Sequence, residues 1–169
     1  MHSAKAIIEH LDLLKHPEGG YYREVYRSTG VIPEASLGTA YEGDRNYATS
    51  IYFLLTAANF SAFHKINQDE TWHFYLGAPI TIHSIAPDGH YTKTVLHNTM
   101  ETGFHLQYTV DGGSWFAAEV TTPESYALVG CTVAPGFDFK DFKLAQKEAL
   151  LREFPQHEAL ISRLSIKES

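Results

Sequence analysis

Phe63-His64-Lys65-Ile66-Asn67-Gln68-Asp69-Glu70-Thr71-Trp72-His73-Phe74-Tyr75-Leu76-Gly77 is the stretch on which the reading of this chain turns. Two runs of strand character, Ala58–Ile66 and Glu70–Leu76, flank the polar triplet Asn67-Gln68-Asp69. Two such runs joined by three polar residues read as a β-hairpin. In that register Ile66 opposes Glu70 and His64 opposes Trp72. Opposed residues point to one side of a sheet, and every second residue shares that side. Ala62, His64, Ile66, Glu70, Trp72 and Phe74 therefore share a face, and His73 takes the other with Phe63, Lys65, Thr71 and Tyr75. An imidazole and a carboxylate are set into an otherwise apolar surface.

Working outward, the strand character continues on both sides. Tyr21–Ser28 alternates bulky and charged residues, which places Arg23 and Arg27 on one face with Tyr21 and Val25. Asn46–Thr56 is nearly continuous in apolar character, as expected of a strand buried on both faces. Downstream, Ile80–Ala86, Tyr91–His97, Phe104–Val110, Ser114–Val120 and Ser125–Val133 are separated by turn residues such as Pro87-Asp88-Gly89 and Asp111-Gly112-Gly113. Many short strands at regular spacing imply a sandwich or barrel. Ala4, Ile7, Ile8, Leu11 and Leu14 fall at helical spacing behind a Ser3 N-cap, and His16-Pro17-Glu18-Gly19-Gly20 stops that helix. A helical tail over about 143–164 divides at Pro155.

The 169 residues suit one domain, 1–169, with its core at about 18–142. Thirteen Lys and Arg against 20 Asp and Glu leave a net charge of −7, which argues against a nucleic-acid partner. One cysteine, Cys131, excludes an internal disulfide framework. The charged N-terminus is unlike a secretory leader, and no apolar run is long enough to span a bilayer, so a cytoplasmic protein without a membrane partner is expected.

His64, the three residues before Glu70, and the six before Gly77 match the register of the first cupin motif, G-x5-H-x-H-x3-E-x6-G, with Ile66 standing at its second His. Glu18-Gly19-Gly20-Tyr21-Tyr22-Arg23, Thr49–Leu55, Asp69–Phe74, Trp115–Ala118 and Cys131–Phe139 further resemble the Cupin_5 family, a group of small cupins, over about Ile7 to Phe142. The resemblance implies an all-β fold, the cupin double-stranded β-helix or jelly-roll barrel, with a short N-terminal helix and C-terminal helices. It also implies a homodimer. Strand 70–76 points the same way, being apolar on both faces with Phe63 beside it.

In metal-dependent cupins the first motif supplies two His and one Glu, and the second motif a further His. Laid over that second motif, Asp111 falls at its Pro and Phe116 at its His. Two of four ligands are thus Ile66 and Phe116. No metal cofactor is expected, with weak divalent binding at His64 and Glu70 left open. A His beside a carboxylate in an apolar cavity can instead move protons, as in the metal-free epimerase-type cupins that the pattern resembles. The resulting expectation is a small polar or sugar-like metabolite as ligand, with His64 and Glu70 as catalytic pair and Ile66, Trp72, Phe74 and Phe116 as walls. A non-catalytic small-molecule binder and a metal-dependent oxygenase or isomerase are the alternatives.

Overall fold

The period-two alternation of the chain resolves into strands whose inner residues meet across a shared core. The structure, a computed structural model, describes residues 3–166. Met1 and His2, part of the stretch read above as unlike a leader, lie outside the described residues. The chain runs through α1 (Ala4–His10), β1 (Leu14–Lys15), β2 (Tyr21–Arg27), β3 (Val31–Ile32), β4 (Arg45–Asn46), β5 (Thr49–Thr56), β6 (Phe60–Lys65) and β7 (Asp69–Gly77). It continues through β8 (Ile80–Ile85), β9 (Tyr91–Leu96), β10 (Phe104–His105), β11 (Gln107–Val110), β12 (Trp115–Glu119), β13 (Tyr126–Ala134) and β14 (Lys143–Leu144). The helices α2 (Lys147–Glu153) and α3 (Glu158–Arg163) close it.

One sheet has the order β1-β2-β5-β13-β7-β11 and the other β10-β9-β8-β12-β6-β14, while β3 and β4 form a separate ribbon. This is the double-sheet jelly roll. Leu55, Ile66, Trp72, Phe116 and Val129 pack between the sheets. The outer face of the first sheet is partly covered by α1, through Ile7 against Leu54, Tyr126 and Leu128. The outer face of the second is covered by α2 and α3, with Phe63, Trp115 and Ala117 meeting Leu150, Phe154 and Ile161.

Four expectations are corrected. The stretch 58–76 is not a hairpin: β6 pairs with β12 and β14, and β7 pairs with β13 and β11, so the chain crosses from one sheet to the other at 66–68. His64 stands opposite Phe116, not Trp72. The crossing is held by Gly112 and Gly113: the Gly112 N–H donates to Asp69 Oδ1 at 2.8 Å and the Gly113 N–H to the Ile66 carbonyl at 2.8 Å. A corner between facing sheets keeps inner residues inner, so the face assignment survives although the pairing does not. Phe63 accordingly lies under the C-terminal helices rather than beside β7.

Helix α1 ends a turn early. Ser3 does cap it, its hydroxyl accepting the Ala6 N–H at 3.2 Å. Asp12 then adopts a φ of 51°, which turns Leu13 into the core and leaves Leu14 69% exposed in β1. The run 104–110 is two strands, β10 and β11, in different sheets. A bulge in β2 between Glu24 and Tyr26 reverses its alternation, so Arg27 joins Tyr22 and Glu24 on the inner side while Arg23 pairs outside with Asp12.

Candidate functional site

The inner surfaces of the two sheets leave a cavity of about 460 Å³. Its floor carries His64 from β6, Ile66 from the crossing that follows it, Glu70 and Trp72 from β7, Phe53 from β5 and Cys131 from β13. Phe137, Phe139 and Phe142, from the segment after β13, form an aromatic wall, and Glu24, Arg27 and Asp138 lie with them along the lining. Phe74 and Phe116 are packed in the core and are not among the lining residues. His73 points away and meets Thr132 on the outer side.

The carboxylate that meets His64 is Glu18, at 3.0 Å from Nε2. The segment 16–20 reads in the sequence as a helix stop, with Glu18-Gly19-Gly20 opening a block of family resemblance, and neither reading gives Glu18 a role at the site. The segment folds against β6, where the Ala62 N–H donates to the Glu18 carbonyl at 2.8 Å. Gly19 makes this approach possible: its φ is +110°, and a Cβ there would sit 2.1 Å from the Phe60 carbonyl oxygen. Two glycines behind a buried acid were the available signal.

The hydrogen bonds determine where the protons sit. His64 Nδ1 lies 2.7 Å from the Ala62 carbonyl, which can only accept, so Nδ1 carries hydrogen. In the neutral ring Nε2 is then an acceptor, and the Glu18 carboxyl must donate to it. Ser61 donates to the other Glu18 oxygen at 2.7 Å. Electrostatics agree with this neutral pair. Burial pushes the Glu18 carboxyl well above its ordinary range, the nearby Glu70 charge adds to this, and the Ser61 bond opposes it. Burial lowers His64 to about 3 against the opposing Ala62 hydrogen bond.

Glu70 does not bond His64. Burial raises its carboxyl to about 7, with a partial offset from its hydrogen bond to the Cys131 thiol. Burial and the Glu70 charge in turn push Cys131 well above the ordinary thiol range, so it is no nucleophile at neutral pH. His16 is held near 4 by burial and sits among aromatic rings, Tyr22 edge-on at 4.6 Å and Phe139 stacked at 6.1 Å. Arg27 donates to Glu24 at 2.9 and 2.7 Å, to Asn46 and to the Phe137 carbonyl, which engages four of its five N–H groups.

The full metal-ligand set of the motif is not assembled here. Among the described residues no three His, Cys, Asp or Glu side chains gather to hold an ion. Ile66 is apolar, Phe116 packs its ring 4.1 Å from the His64 ring, and His64 Nε2 faces Glu18. His64 and Glu70 thus gain no further donor from the two positions where the motif would place imidazoles.

The model of Cupin_5, described as "Cupin superfamily (DUF985)", matches residues 5–145. An uncharacterised protein of Saccharomyces cerevisiae is 29% identical over 159 residues, covering 89% of this chain and 79% of the yeast protein. A crystal structure of a Shewanella oneidensis protein superposes with a TM-score of 0.89 at 38% identity, covering 99% of this chain and all of that one. A hypothetical protein from Leishmania major gives 0.89 at 35% identity over 98% of this chain and all of its own. Bacillus subtilis oxalate decarboxylase shares the fold alone, with a TM-score of 0.54 at 14% identity over 94% of this chain and 39% of the enzyme.

Proposed function

The chain belongs to the Cupin_5 family of the cupin superfamily, and on that premise we propose that it binds a small polar metabolite in the barrel and moves a proton to or from it. The observation that carries this is the placement of two proton-holding groups on opposite sheets of one cavity: the Glu18–His64 pair and Glu70. A general acid has to remain protonated at the working pH, and burial gives Glu18 that property. His64 accepts and returns the shared proton, its tautomer held by Ala62. Glu70, about half ionised near pH 7, receives the ligand's polar head and orients it. Ile66 and Trp72 form the wall, with Phe74 and Phe116 packed in the core around them.

In a substrate screen of isomerisation and epimerisation chemistries, turnover should fall roughly 100- to 10,000-fold in both His64→Ala and Glu18→Gln. Full activity in His64→Ala would reject the proton-transfer assignment. The second reading is a binder without chemistry. It is favoured by the internal satisfaction of Glu18 and His64 by Ser61 and Ala62, and ligand binding without turnover in any arm would select it.

Homodimer assembly is part of the proposal. Tyr75 on the outer side of β7 is 44% exposed, beside Tyr52 at 6.1 Å between ring centroids, and the adjoining Leu76 is 40% exposed. Light scattering at micromolar concentration should give twice the 19.0 kDa chain mass; a stable monomer would count against it. Among the described residues no helix is long and apolar enough to cross a membrane.

A further inference from the structure

We propose that the ligand of the barrel cavity is a small organic cation, a protonated primary amine on a compact apolar body, with its ammonium group against Glu70. The inference rests on the reading of the cavity as a ligand site, and not on any catalytic step there.

Three features lead to it. The first is which polar groups remain free. Glu18 and His64 are spent on each other, on Ser61 and on Ala62. The Thr49 hydroxyl accepts the Phe137 N–H at 3.0 Å. Arg27 is engaged as described above. Glu70 lines the cavity at 9% exposure, and its one hydrogen-bonding neighbour among the described residues is the thiol of Cys131. A thiol is a weak donor, so a buried carboxylate here lacks the strong donors that such a group ordinarily has. A polyol would bring many polar groups to few free partners, whereas an ammonium group brings donors alone.

The second feature is charge. With Glu18 held protonated, Glu24, Glu70 and Asp138 remain as acids along the cavity against the single cation Arg27, which Glu24 already neutralises. An anionic ligand would enter beside Glu70 and Asp138 with Arg27 already paired to Glu24, so the lining repels it. The third is the wall: the rings of Phe53, Phe137, Phe139 and Phe142 surround the space. Aromatic faces accept both an apolar body and a cation.

A protonation linkage follows. The groups facing Glu70 are Cys131 on β13, His16 and Glu18 on the segment before β2, and His64 on β6. His16 and His64 stay neutral above pH 6, and Glu18 shares its proton with His64. Glu70 is therefore the group that ionises to meet the ammonium, and binding below about pH 7 releases its proton.

Titration calorimetry on the full chain with 2-phenylethylamine, 2-phenylethanol and 3-phenylpropanoate tests this. The amine should bind about ten-fold or more tighter than the alcohol at pH 8, and the carboxylate more weakly than either. At pH 6 the lead of the amine should shrink, with heats that depend on buffer ionisation enthalpy. Glu70→Gln, with folding checked by circular dichroism, should bind amine and alcohol alike. Should that variant misfold, the pH 6 to pH 8 change in the wild type decides alone. Equal binding of amine and alcohol by the wild type overturns the cation and leaves the cavity reading standing. Tighter binding of the carboxylate than of the amine does the same. Failure of all three probes to bind overturns the cation and the cavity reading together. The turnover test with His64→Ala is unaffected by any of these results.

Discussion

Replacing Arg45 by methionine is expected to destabilise the fold by about 3–5 kcal/mol, the cost of leaving a buried carboxylate without its partner. Arg45 and Asp141 are 3% and 6% exposed, and their two parallel hydrogen bonds measure 2.7 Å each. The third arm of the guanidinium donates to the carbonyls of Glu42, Gly43 and Asp44. Asp141 also accepts from Gln68 at 2.6 Å and from Asn67 at 3.2 Å, the residues of the crossing between His64 and Glu70. Burial alone would raise its carboxyl; Arg45, Gln68 and Asn67 outweigh that and hold it below the ordinary range. One network thus ties three segments: the loop before β4, the corner carrying the site, and the stretch that brings Phe137, Phe139 and Phe142 to the cavity. Urea unfolding of Arg45→Met measures the effect. Arg45→Met/Asp141→Leu should recover part of the loss, because no buried charge then remains, although Gln68 and Asn67 still lose an acceptor. A loss below about 1 kcal/mol, the scale of an exposed pair, would mean that the network does not carry the load assigned to it.

Glu70→Gln should show the second large effect, and it depends on pH. The Glu70 carboxyl is raised from 4.5 to about 7, so between those values the folded state binds more protons than the unfolded state. Stability then falls as pH rises through that window, by at most about 3 kcal/mol in total. Glutamine has no such dependence. The stability of the variant relative to wild type should therefore climb from pH 4.5 to pH 7 and level off above it. His16 and His64 act in the opposite sense. Their lowered values make the unfolded state the stronger proton binder below pH 6.5, so their contribution to stability rises with pH there. The difference between variant and wild type is the informative quantity, since both proteins contain both imidazoles. A difference that stays flat from pH 5 to pH 8 would place Glu70 in water rather than in an apolar cavity.

The parts of this molecule that were legible in the sequence are those that depend on alternation. His64, Ile66, Glu70, Trp72 and Phe74 face inward, as period two requires, and His73 faces outward. Pairing partners were not legible in the same way. A three-residue polar connection fits a hairpin or a corner between sheets equally, and what distinguishes them is the demand of distant strands β12, β13 and β14 for the edges of β6 and β7. Glu18 was hidden for a related reason. It lies 46 residues before His64 in the chain, in a Pro-Gly-Gly context whose ordinary meaning is a chain break, and only the docking of that segment onto β6 turns its side chain inward. Arg45 ends a polar stretch; its three carbonyl acceptors come from its own neighbours, but the buried Asp141 lies 96 residues away. The bulge in β2, which brings Arg27 to the cavity and sends Arg23 outside, leaves no mark that alternation alone can read.

The most direct test of the account is the protonation state of His64, read from long-range ¹H–¹⁵N correlation spectra of the imidazole. The structure predicts a neutral ring with hydrogen on Nδ1 and a bare Nε2 accepting from Glu18, unchanged from pH 8 down to about pH 4. In Glu18→Ala the Nε2 resonance should shift as it loses its donor, while Nδ1 stays protonated by its bond to Ala62. An imidazolium with both nitrogens protonated at pH 7, or a ring with hydrogen on Nε2 alone, would contradict the shared-proton pair on which the proposed chemistry depends.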